Sequence, residues 1–254
     1  MTHAPHEDSA GTSSAIADAQ PAGAAARIPA PQVARLLRWS LSCFVVVTMA
    51  ALTGVTHPLD RALRLDAWLS NDLLDETLKL VERPGQRVVV LPLLFALTAY
   101  LGWRLRSWRP VVATAVAVSL VNVSVGLLKW WSDRATPRLG GPGFFDEPGY
   151  RLLGAYPSGH ATNVGMWAVL AWFLSLHAQP TLRYWVRRLS VAWVLVIVLC
   201  SWARSTHWIT DLVAGVALGA ACSCAGVLIS RWERPTKASP PDRGDGSPAS
   251  ARLT

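Results

Sequence analysis

The sequence predicts an all-α integral membrane protein, a bundle of six spanning helices, and three observations carry that prediction. Only 16% of the 254 residues are charged, against about 25% in soluble domains. Mean hydropathy is +0.30, and the apolar residues gather into long runs separated by short arginine-bearing segments. The net charge of +8 could signal nucleic acid, but such proteins cluster their cations on one face or along one helix. Here 21 of the 24 cations are arginines set in small groups between apolar runs. No nucleic-acid partner is expected; the bilayer is.

The elements follow in order. Residues 1–34 are rich in Ala, Pro, Ser and Gly without periodicity, too poor in large apolar side chains to order themselves, and a disordered tail is expected. Glu7 and Asp8 stand where a cleavable signal would be basic. The membrane domain is read at 35–230, with spans at 37–55, 88–103, 110–131, 160–178, 189–203 and 209–230. A helix crossing about 30 Å of hydrocarbon needs about 20 residues, so the second and fifth spans must borrow from their flanks. Pro92 predicts a kink in the second. Between the first two, Leu59, Leu63, Leu65, Trp68 and Leu69 recur at near-helical spacing and predict one amphipathic helix lying on the membrane surface. Tryptophans 103, 108, 130, 131, 185, 202, 208 and 232 fall near span ends, as interfacial anchors do. Residues 231–254 resemble the first tail and are also read as disordered.

Loop charge sets the orientation. Arg27, Arg35 and Arg38 precede the first span, Arg104, Arg106 and Arg109 follow the second, Arg183, Arg187 and Arg188 follow the fourth, and Arg231, Arg234 and Lys237 follow the last. With six spans these segments share one side, which the positive-inside rule makes cytoplasmic. Both termini are then cytoplasmic in a multi-pass protein of the cell membrane. Residues 56–87 and 132–158, whose charges nearly balance, face outward.

Three polar sets interrupt the outer span ends: Lys129 through Arg138, Pro157-Ser158-Gly159-His160, and Arg204 through Asp211. Ionisable groups at such positions are costly and mark function, so the active site is expected at the outer ends of the helices. Gly159 and His160 open the fourth span, where unpaired N–H groups attract an anion, and Ser158 suits the N-cap or a donor to phosphate. His207 and Asp211 are four apart, so on one helix the carboxylate accepts from one imidazole nitrogen and leaves the other as nucleophile or base. The surrounding cations oppose a metal ion, and Cys43, Cys200, Cys222 and Cys224 lie in apolar runs without ligand spacing. Neither metal nor cofactor is expected.

Lys129 with Pro137, then Pro157-Ser158-Gly159-His160, then His207-x-x-x-Asp211 followed by Leu212-Val213-Ala214-Gly215 resembles the type 2 phosphatidic acid phosphatase family, whose active site is related to those of bacterial acid phosphatases and vanadium haloperoxidases. The likeness spans about residues 37 to 230. It implies a metal-free lipid phosphatase in which His207 attacks phosphorus, Asp211 orients it and His160 protonates the leaving oxygen. Lys129, Ser158 and Gly159 N–H would bind the phosphoryl oxygens. The family's two further phosphate-binding arginines are replaced here by Thr136 and Ser201. Arg204 and one of Arg134 or Arg138 are expected to supply those guanidinium groups. The substrate would be a phosphorylated lipid; transfer to a lipid hydroxyl, or binding without turnover, are the alternatives.

Overall fold

Helix formation follows the apolar runs, since a chain in hydrocarbon must satisfy its backbone internally. The computed structural model describes residues 30–65, 72–145 and 154–230. The helices are α1 (Ala30–Leu52), α2 (His57–Ala62), α3 (Asp72–Glu82), α4 (Arg87–Arg104), α5 (Arg109–Ser132), α6 (Gly159–Ser175), α7 (Pro180–Ala203) and α8 (Ile209–Ile229), with a 3-10 turn at Arg83–Gly85. No strand occurs among the described residues. Proline stands in the first turn of α5 and α7, where its missing N–H is no loss, and α4 continues through Pro92.

Among the described residues, five helical stretches are long and apolar enough to cross a membrane: 30–52, 72–104, 109–132, 180–203 and 209–229. The fourth expected span corresponds to α6, which at 17 residues is shorter than these. The fifth starts at Pro180 rather than 189, because the polar residues Arg183, Arg187 and Arg188 lie on its first turns instead of in a loop. Helix α1 reaches back to Ala30, five residues into the stretch expected to be disordered; the rest of both tails lies outside the described residues. The single surface helix expected between the first two spans is instead two short ones, α2 and α3. Trp68 and Leu69, on which that expectation partly rested, lie outside the described residues.

Helix α8 is the hub, packed against α6, α1 and α5. Its small residues permit this: a Cβ at Gly215 would come within 2.7 Å of the Ser158 carbonyl oxygen, and one at Gly219 would overlap the Thr162 carbonyl. With no hydrophobic effect to drive helices together inside lipid, such backbone approach supplies the packing. The core continues through Leu170, Phe173 and Leu174 of α6 and Ala113, Ala117 and Val121 of α5. Many large apolar side chains face outward, among them Val46, Val88, Trp103, Trp108 and Leu189, as a lipid-facing surface requires.

Candidate active site

The site lies where α6 and α8 begin and α5 ends. Ser158 caps α6, its Oγ accepting from Ala161 N at 3.4 Å, and its own N–H donates to the Asp211 carbonyl at 3.1 Å. It is fully buried, so the hydroxyl expected to reach phosphate serves the helix cap instead. Gly159 and His160 follow and line a cavity of about 440 Å³ with Gln86, Arg87, Lys129, Thr136, Gly154, Asn163, Thr206 and His207. No Cβ added at Gly159 would meet an atom within 4 Å; its surroundings are open.

His207 is not on a helix shared with Asp211. Trp208 is the N-cap of α8, and Asp211 sits at the third helical position, its Oδ2 accepting from Trp208 N at 2.9 Å. His207 Nδ1 lies 3.8 Å from that oxygen and 2.9 Å from the carbonyl oxygen of Ala155. A carbonyl can only accept, so Nδ1 carries the proton and Nε2 keeps its lone pair. The backbone holds the tautomer, and the carboxylate acts from slightly farther away.

The three candidate phosphate arginines, Arg204 and the alternatives Arg134 and Arg138, are committed elsewhere. Arg134 is wholly buried. Its guanidinium binds Asp211 Oδ1, Asp60 Oδ2 at 2.7 Å and Thr210 Oγ1 at 2.9 Å, and its Nε donates to the Pro142 carbonyl at 2.8 Å. Its face packs against Phe144, Tyr156 and Trp208. Burial pushes the Tyr156 hydroxyl up to about 12, so it stays neutral beside Thr48, its hydrogen-bond partner. Arg138 pairs with Asp75 at 2.8 Å and donates to the Arg204 carbonyl. Arg204 pairs with Asp75 at 3.0 Å and also binds Glu82. None of the three lines the cavity. Trp208, expected as an interfacial anchor, is 2% exposed and donates to the Ala135 carbonyl; packing inside the protein, not the bilayer surface, claims its ring.

Thr136 lines the cavity, and Ser201 donates to Glu82 Oε1. The two positions that lack arginine are thus next to the cavity and to the carboxylate beside His160. Glu82 is 3% exposed, and its Oε1 lies 3.7 Å from His160 Nδ1. His160 Nε2 is buried without a hydrogen bond to any described residue. Lys129 donates to the Gly154 carbonyl while lining the cavity.

The PAP2 superfamily pattern matches residues 106–235, 130 of the 254 residues. The chain belongs to the PAP2 superfamily. No curated protein matches it in sequence. Its fold is similar to the crystal structure described as the first transmembrane PAP2 type phosphatidylglycerolphosphate phosphatase, from Bacillus subtilis, with a TM-score of 0.55 and 18% identity over 78% of this chain and 94% of that one. At that identity the likeness speaks to the fold. The five long apolar helices of this PAP2 chain are those of a multi-pass membrane protein. Family membership was legible in the three motifs. Arg87 and Glu82 were not, because they come from α3 and α4, more than forty residues before the first motif, with no local spacing to single them out.

Proposed function

We propose that the protein is a membrane phosphatase that removes phosphate from a lipid mono- or diphosphate at the outer face, through a phosphohistidine and without a metal ion. One observation carries the reading: His207, its Nδ1–H held by the Ala155 carbonyl, lines the same anion-suited cavity as His160 and Lys129. The free Nε2 lone pair attacks phosphorus as the bond from phosphorus to the lipid oxygen breaks. His160 donates its Nε2 proton to that oxygen, so the lipid leaves as an alcohol or, from a diphosphate, as a monophosphate. Water then attacks the phosphohistidine, giving its proton to His160, and phosphate departs with His207 restored.

Asp211, pinned by Arg134 and Trp208 N, stabilises the positive charge that His207 acquires. Lys129 and the first N–H groups of α6 offset charge that grows on the phosphoryl oxygens. The residues described around the cavity include no carboxylate, a donor set that suits an anion better than a metal cation.

The test is phosphate release from phosphatidic acid, phosphatidylglycerol phosphate and an isoprenoid diphosphate by the full chain in detergent, with chelator present. Release is expected from at least one lipid, and His207→Ala should lower it by about a thousandfold or more. Release that chelator abolishes overturns the metal-free step, and release unchanged in His207→Ala overturns the nucleophile.

A further inference from the structure

Arg87 opens α4 and lines the same cavity as the two histidines. Its position is locally unfavourable: the positive end of a helix dipole repels a cation in the first turn, and α4 has no acidic residue there to offset it. The N-cap, Gln86, gives no side-chain hydrogen bond to the helix start. Arg134, Arg138 and Arg204 are each matched to carboxylates. No ion pair or hydrogen bond to a described residue occupies the Arg87 guanidinium. The other cation on the cavity wall is Lys129, close enough for the two charges to repel, and no described lining residue is acidic. Two unneutralised cations and the starts of two helices, α4 and α6, therefore converge on one cavity, an arrangement that an anion would relieve.

We infer that Arg87 is a phosphate ligand of this site, supplying from α4 the guanidinium that neither Thr136 nor Ser201 offers. The inference deepens the phosphatase reading and rests on it for the identity of the anion. Lys129 approaches from α5, the helix start and His160 from α6, and Arg87 from α4, so the phosphoryl group is held from three sides. Guanidinium suits the role, since its fork of donors matches two phosphoryl oxygens at once.

The experiment measures the affinity of the purified full chain for inorganic phosphate by calorimetry in detergent, beside its turnover of the lipid panel. Arg87 is exposed and is repelled by the helix start and by Lys129, so its variants should melt no lower than the wild type. Arg87→Ala is expected to weaken phosphate binding about tenfold or more, the worth of one charge-assisted contact, and Arg87→Lys to recover part of that loss. Binding in Arg87→Ala within about twofold of wild type overturns the inference, as does Arg87→Lys no better than Arg87→Ala, or a wild-type chain without measurable affinity. Binding is read without turnover, which separates the two failures. Arg87-dependent binding with no release from any lipid upholds the anion site and overturns the phosphatase, whereas release with Arg87-independent binding does the reverse.

Discussion

Arg134 has its whole side chain out of solvent between Asp60 and Asp211, both also fully enclosed. Thr210 completes the network, its N–H donating to Asp60 Oδ1 at 3.2 Å and its hydroxyl to Oδ2 at 2.8 Å. An isolated buried charge costs several kcal/mol, so one cation shared by two carboxylates is stable only while all three are present. Removing Arg134 leaves two unpaired carboxylates at the start of α8 and frees the Asp211 side chain that backs His207. Arg134→Ala should therefore destabilise the fold by about 3–5 kcal/mol, seen as a lower melting temperature in detergent, and should lose activity even below that temperature. An unchanged melting temperature would refute the structural role. At this scale motif spacing singles out the two histidines, Lys129 and Gly159, which the fold brings to one cavity. The roles of the arginines were not legible: spacing puts Arg134, Arg138 and Arg204 near the site, but their direction depends on Asp60, Asp75 and Glu82, which reach them from 63 to 129 positions away in the chain.

Among the elements, α8 carries the tightest constraints. Gly219 faces α6 so closely that a methyl group would overlap the Thr162 carbonyl and approach Met166 N to 2.7 Å, and Gly226 meets the Ala113 carbonyl of α5 in the same way. These contacts involve backbone rather than a flexible side chain, so they relax only if whole helices move apart. The start of α6, which bears His160, would move with them. Gly219→Ala should lower the melting temperature by an amount equivalent to about 1–3 kcal/mol, the usual cost of overpacking, and reduce turnover at temperatures where the chain is still folded. Equal stability and activity would show that α6 and α8 separate without cost. Apolar length located nearly every long helix, since burial in lipid and burial in protein select the same residues. It could not tell that the segment between α1 and α4 holds two short helices, α2 and α3, because the near-helical spacing of Leu59, Leu63 and Leu65 does not mark where a helix ends.

Across the whole molecule, the proposed membrane orientation rests on the distribution of charge between the two ends of the bundle. The loop between α4 and α5 carries Arg104, Arg106 and Arg109, and the start of α7 carries Arg183, Arg187 and Arg188. Arg183 spends its guanidinium on the carbonyls of Ser175, Leu176 and Ala178, and Arg187 stacks on Trp172. Both stay at the α6–α7 end of the bundle, opposite the ends at which Lys129, His160 and His207 meet. One face is thus richly cationic and the other holds the cavity with its neighbouring acids Asp60, Asp75 and Glu82. Under the positive-inside rule, the proposed orientation has the cationic face in the cytoplasm and the cavity outside. A C-terminal green fluorescent protein fusion should then fluoresce, and a C-terminal alkaline phosphatase fusion in bacteria should be inactive, because that enzyme matures only outside the cytoplasm. A cysteine in place of Arg64, near the cavity end, should react with a membrane-impermeant maleimide added to whole cells, whereas one in place of Arg106 should react only after lysis. The reverse labelling pattern would place the cavity in the cytoplasm and turn the proposed lipid substrate to the inner leaflet.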